Sequence, residues 1–135
     1  MDNRSKILKM GIPVSLSGQF QMQGNQALAG LRAWAEDVNQ AGGLNFGEWD
    51  SPRPVAVIHY DDTSRAEQVR LLAQHLILED QVDLMISPYS SVLAQAAASV
   101  TEQYGKVLWN QGGTSDSIYQ QGYRCVVGIS TAASE

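Results

Sequence analysis

Serine, threonine, glycine and amide side chains, rather than acids and bases, are the polar groups that this chain gathers into short clusters. Pro88-Tyr89-Ser90-Ser91 stands directly before an alanine-rich apolar run. A helix beginning there turns free N–H groups and its positive dipole end toward the serines, and a carboxylate or phosphate binds well at such an end. Ser91 can add its hydroxyl to those backbone donors; equally, Ser90 or Ser91 can do no more than cap the helix. Gln111-Gly112-Gly113-Thr114 lets a backbone approach a ligand closely, because neither glycine has a side chain in the way. Thr114 adds a hydroxyl and an N–H. The same residues also read as a plain surface loop. A third cluster, 17–23, is rich in serine, glycine and glutamine.

Other chemistries find little support. His59 and His75 fall on an expected strand and an expected helix without ligand spacing, so no metal site is expected. Asp61 and Asp62 can hold a cation but more simply end a strand by accepting backbone hydrogen bonds. The single cysteine, Cys125, forms no disulfide within the chain and reads as a core residue. Neither G-x-x-x-x-G-K-S/T nor G-x-G-x-x-G occurs, and no Ser-His-Asp or Cys-His arrangement has local support. The expectation is a chain that is not an enzyme and carries no cofactor. With a net charge of -5 and only nine Lys or Arg residues, scattered along the chain, there is no basic stripe for nucleic acid and no basic face for a membrane surface. No apolar run approaches bilayer length. Residues 1–6 are polar and lack the apolar centre of a signal peptide, which leaves open a cytosolic protein or an export signal outside this sequence.

These clusters need a scaffold, and the periodicity supplies one. A flexible start at 1–6 is followed by a strand at 7–14. A helix over about 24–41 carries Ala27, Leu28, Leu31, Trp34, Ala35 and Val38 as an apolar stripe. Trp34 reads as core, and Gly42-Gly43 stops the helix. Residues 55–60 form a second strand. Ser64 and Glu67 have capping-box spacing, so a helix is expected from Arg65. Strands at 84–87, 107–110 and 125–129 alternate with helices from Ser90 or Ser91 to about Tyr104 and over 117–121, leaving a tail at 131–135. Strand–helix alternation with short apolar strands implies a three-layer α/β/α domain, its mostly parallel five-stranded sheet covered by helices on both faces. Ligands of such sheets sit beyond the carboxyl ends of the strands, where the strand order reverses. That edge is where the clusters lie.

Three stretches, KMGIPVSLSGQFQMQGNQALAGLRAWAEDVNQAGGL, VAVIHYDDTSRAEQVRLLAQHLI and DLMISPYSSVLAQAAASVTEQYGKVLWNQGGTSDSIY, in register, resemble the type I periplasmic solute-binding proteins, in their branched-chain amino-acid-binding branch. The resemblance implies the N-terminal lobe, 7–135, of a two-lobed protein whose second lobe is not in this sequence. It implies an amino acid or related small carboxylate held between the lobes and a membrane permease of an ATP-driven importer as partner. A periplasmic or extracellular place follows from it, although the polar start keeps a cytoplasmic one open. By the same resemblance Ser91, Gly112 and Thr114 take the ligand's carboxylate and amino ends, with Tyr89, Ser90 and Gly113 beside them. Gln23 stands where relatives often place a pocket tyrosine. Ser64 and Ser90 stand where some relatives place a disulfide. A lone lobe is expected to bind weakly and to self-associate through apolar surface left uncovered. A ligand-sensing domain of a receptor or amide regulator is the alternative, and a flavodoxin-like enzyme a more distant one.

Overall fold

The computed structural model describes residues 7–45 and 47–129; the expected flexible start and the 131–135 tail lie outside them. Among the described residues five strands alternate with four helices: β1 (Leu8–Val14), α1 (Gln21–Gln40), β2 (Val55–Asp61), α2 (Ala66–Leu78), β3 (Leu84–Ile86), α3 (Ser91–Gln103), β4 (Leu108–Asn110), α4 (Asp116–Tyr119) and β5 (Val126–Gly128). Every strand pairing is parallel, and the order across the sheet is β2-β1-β3-β4-β5.

That order decides which helix lies on which face. Parallel crossovers are right-handed almost without exception. The step from β1 to β2 runs toward one edge of the sheet, while β2 to β3, β3 to β4 and β4 to β5 run toward the other. The single reversed step puts α1 alone on one face, where Leu28 and Ala35 meet Met10, Ile12 and Val14. On the opposite face α2 and α3 seal the larger core, in which Val69, Leu76, Met85, Leu93 and Leu108 are all buried. Gly11 is small because Leu76 and Val82 lie directly over it. The strands' apolar content led to an expectation of burial on both faces, but one helix cannot cover five strands. On the α1 side Trp109, Val127 and Ile129 of the β4–β5 half remain 42%, 44% and 54% exposed.

Several local expectations change. α1 begins at Gln21, not Gly24: Gln21 and Met22 are exposed, so the helix starts before its buried stripe does. The Ser64–Glu67 capping box does not form. Ser64 has φ 59, and its hydroxyl accepts from Phe20 N–H at 3.0 Å and donates to the Ser17 carbonyl at 2.8 Å; the N-cap of α2 is Arg65, without a side-chain bond. The hydroxyl is spent on holding the β1–α1 loop. Cys125 is only partly buried, since it precedes the edge strand β5, and its N–H and that of Arg124 each donate to the Glu102 carboxylate at 2.9 Å. Trp34 is 39% exposed, on the α1 flank that faces the bare strands.

Two adjacent carboxylates tie the β1–α1 and β2–α2 loops together. Asp61 accepts from Leu16 N–H (3.0 Å), Ser17 Oγ (2.7 Å) and Thr63 N–H (2.9 Å). Burial works to raise its pKa, but these donors outweigh it and hold the carboxyl below the usual range. Asp62 is fully buried; Oδ1 accepts from Ser15 Oγ (2.6 Å) and Ser64 N–H (2.8 Å), while Oδ2 is shut from water without a partner among the described residues. Burial pushes its pKa up, helped by the neighbouring Asp61 charge and only partly offset by the two donors.

Gly24 lies so close to Ser15 that a Cβ would strike the Ser15 carbonyl. Gly24→Ala is expected to lower stability by about 2 kcal/mol, read from urea denaturation; an unchanged midpoint would show that this contact is loose. For Asp62, a folded pKa above the unfolded one means a contribution that is whole below the unfolded carboxyl pKa and lost as pH rises through the folded value. Asp62→Asn keeps an acceptor for Ser15 and removes the titration. The variant is therefore expected to gain on the parent protein as urea midpoints are followed from about pH 4 to about pH 7. A difference constant across that range would contradict the assignment.

Candidate functional site

The strand order reverses between β1 and β3, whose following helices lie on opposite faces. A crevice opens at such a point, between the loops that follow the two strands. The rings of Phe20, from the β1–α1 loop, and Tyr89, from the β3–α3 loop, meet there edge to face, with centroids 5.4 Å apart and planes inclined at 63°. Phe20 was not singled out in the sequence, because a lone aromatic before a helix is indistinguishable from an ordinary core contact.

Ser90 and Ser91 divide the two roles that the sequence left open between them. Ser90, at φ 78, is the N-cap of α3, and its hydroxyl accepts from Leu93 N–H at 3.2 Å. Ser91 is the first residue of the helix. Its hydroxyl oxygen accepts from Thr114 N–H at 3.1 Å and Ser115 N–H at 3.0 Å. Both of these bonds use its lone pairs, which leaves the O–H to donate. The Thr114 N–H, expected to serve a ligand, is therefore already engaged; the Thr114 hydroxyl and the Gly112 carbonyl carry no hydrogen bond among the described residues.

The loop after β4 is pressed against the loop after β3. A Cβ on Gly112 would strike the Pro88 carbonyl and lie 2.7 Å from Tyr89 Cα. A Cβ on Gly113 would lie 2.6 Å from Ile118 and 2.7 Å from Ala94. Both glycines are thus required by packing, independently of any ligand. Two buried residues that sequence reasoning passed over hold this arrangement. The Ser87 hydroxyl accepts from the N–H groups of Gln111 (3.1 Å) and Gly112 (3.2 Å). Asn110 accepts from Gly113 N–H at 2.8 Å and donates to the Gly113 carbonyl at 2.7 Å and to Tyr119 Oη at 2.9 Å. Their signal was a polar residue directly after or at the end of an apolar strand.

Gln23 sits in the first turn of α1, with its amide oxygen shut from water and lacking a partner among the described residues. No hydrogen bond joins it to the Ser91 group among those residues. Tyr89, Ser90, Ser91, Gly112, Gly113 and Thr114 are gathered at one edge; Gln23 stands three residues after Phe20, whose ring meets Tyr89. No charged side chain occurs in 87–91 or 111–115, so these two loops offer neutral donors and acceptors and one helix dipole. Among the described residues no group of three or more His, Cys, Asp or Glu side chains can hold a metal ion, and no helix is long and apolar enough to cross a membrane.

The family model for periplasmic binding proteins matches residues 7–134. The leucine-specific-binding protein of Salmonella typhimurium is 23% identical over 120 residues, which are 89% of this chain and 31% of that protein. The leucine-, isoleucine-, valine-, threonine- and alanine-binding protein of Pseudomonas aeruginosa is 23% identical over 119 residues, 88% of this chain and 30% of that one. This chain thus spans about a third of the length of the curated relatives it matches. Among solved structures, the branched-chain amino acid transporter substrate-binding protein LivJ of Streptococcus pneumoniae, in complex with isoleucine, superposes with a TM-score of 0.84 at 20% identity, covering 94% of this chain and 34% of that one. A solute-binding protein of an ABC transporter from Rhodopseudomonas palustris, in complex with 3,4-dihydroxybenzoic acid, gives 0.79 at 21% identity, covering 94% and 32%. The matched residues and the parallel five-stranded sheet agree: the chain belongs to the periplasmic binding protein family.

Proposed function

We propose that residues 7–135 are the N-terminal lobe of a two-lobed solute-binding protein, and that this lobe grips the carboxylate of an amino acid or a related small acid for an ABC-type uptake system. The observation that carries the reading is the Ser91 hydroxyl. It occupies the first turn of α3 and accepts from Thr114 and Ser115, which leaves its own O–H to donate beside the helix N-terminus. The Thr114 hydroxyl is a second donor for the same carboxylate, and the Gly112 carbonyl accepts from an ammonium group. Tyr89 and Ser90 border the grip, Gly113 lets the loop close on α3, and Gln23 is a polar wall. The role is carriage rather than catalysis, in the periplasm or outside the cell, with the membrane permease as partner. Both an amino acid and an aromatic acid fit the carboxylate grip, and each is the bound ligand in one of the structural neighbours.

Binding by one lobe is expected to be weak, in the millimolar range, because the contacts of the opposing lobe and the closure around the ligand are missing. Titration of the 15N-labelled chain with leucine, isoleucine and 3,4-dihydroxybenzoate, followed through the amides of Ser91, Val92 and Thr114, tests the site. Shifts at these amides support the carboxylate grip, and shifts confined elsewhere reject it; a micromolar dissociation constant would reject the claim that a second lobe is needed. Ser91→Ala is expected to weaken binding roughly tenfold or more, since a hydrogen bond to a charged group contributes about 1.5–3 kcal/mol.

A further inference from the structure

Phe20 stands at a position where its own helix has no use for a ring. It is the N-cap of α1, the place where Ser, Thr, Asp or Asn supplies a side-chain acceptor to the first turn, and α1 goes without such a bond. The backbone of Phe20 is nonetheless held from outside the helix. Its N–H donates to Ser64 Oγ at 3.0 Å, that hydroxyl donates to the Ser17 carbonyl at 2.8 Å, and Ser17 Oγ donates to Asp61 at 2.7 Å. Ser64 adopts φ 59, a left-handed conformation uncommon for a residue with a side chain, in making these bonds. The β1–α1 loop is thus bolted to the end of β2, and the Phe20 ring it carries packs, partly buried, against the α2–α3 core.

Across the crevice, the β3–α3 loop meets that ring. Tyr89 touches it edge to face, and among the described residues no hydrogen bond joins 15–20 to 87–91, so the joint between the two loops is a ring contact rather than a polar one. An edge-to-face pair has a directional preference that an aliphatic side chain of similar bulk lacks. Tyr89 is confined through its backbone as well, since a Cβ on Gly112 would lie 2.7 Å from Tyr89 Cα. The two residues that follow are those whose hydroxyls must be placed. Ser90, at φ 78, accepts from Leu93 N–H, and Ser91 accepts from Thr114 and Ser115 N–H. We propose that Phe20 is a positioning residue: by holding the Tyr89 ring it fixes the first turn of α3, and with it the Ser91 hydroxyl and the helix N-terminus. The consequence for binding rests on the carboxylate grip proposed above; the effect on α3 itself does not.

Amide hydrogen exchange of the 15N-labelled, ligand-free chain tests this directly. The N–H groups of Leu93, Thr114 and Ser115 report where the Ser90 and Ser91 hydroxyls are, and Val55 N–H, bonded to Asn39 at the far edge of the sheet, is the control. Phe20→Leu, which keeps apolar bulk, is expected to speed exchange at the three reporters roughly threefold to tenfold and to leave Val55 unchanged. Phe20→Tyr, which keeps the ring, should restore the parent rates. Tyr89→Leu, at a side chain 38% exposed, should reproduce the effect without disturbing the core, and should add nothing to Phe20→Leu. Titration with isoleucine should show a dissociation constant raised by a similar factor in Phe20→Leu. Unchanged exchange at the three reporters overturns the proposal. Exchange that rises equally at Val55 overturns it too, by making Phe20 an ordinary core residue, as does additivity of the two leucine variants. Local acceleration in a chain whose Ser91 and Thr114 amides ignore every ligand supports the positioning role and rejects the carboxylate grip instead.

Discussion

A parallel strand connection has one permitted hand, and most of this molecule's organisation follows from that constraint. Because the chain reverses direction across the sheet only between β1 and its neighbours, a crevice opens between β1 and β3. The same reversal leaves α1 alone on its face. The site and the strand faces left exposed on the α1 side among the described residues are thus two consequences of one topological event. Neither can be moved without changing the strand order.

Handedness places the loops but does not hold them. Holding is done by polar side chains, most of them at strand ends, that bond to groups of the connecting loops. Asp61 and Asp62 serve the loop after β1, Ser87 serves the loop after β4, and Asn110 closes that loop on itself. Asn39 does the same at the opposite edge, donating to and accepting from Val55 at 2.9 and 2.8 Å. Buried polar groups need partners, and here the partners are backbone amides that otherwise lack one. Asp62 is the exception, with one carboxyl oxygen left without a partner among the described residues and a pKa raised by burial. It carries a cost that its neighbour Asp61, better provided with donors, does not.

The part of the carboxyl edge formed by the loops after β3 and β4 is built from neutral groups. Ser91, Thr114 and the N-terminus of α3 present donors whose positions are set by packing of Gly112 and Gly113 against the neighbouring loop and helix. No carboxylate or cation from 87–91 or 111–115 intrudes. Such an edge has the means to orient an anion through dipoles and hydroxyls, and it lacks a general base or an activated nucleophile in those loops.

Much of this was legible in the residues themselves. Alternating apolar runs and helical stripes located all nine elements, since hydrophobic periodicity is a local property of the chain. The punctuation of Gly42-Gly43, Pro88 and Gly105 marked element ends for the same reason. The serine and glycine clusters identified the edge to examine. What the chain's local pattern does not contain is which distant group each polar atom meets. Ser64 had the spacing of a helix cap, yet its hydroxyl went to Ser17 and Phe20, 47 and 44 residues away. Ser90 and Ser91 were equivalent in sequence, and only the arrival of Thr114 and Ser115 gave Ser91 its separate role. Trp34 belonged to an apolar stripe that implied burial, but burial depends on whether an opposing layer exists, and among the described residues none covers that flank. Periodicity determined which side of each element is apolar; the strand order, a long-range property, decided which of those sides were covered.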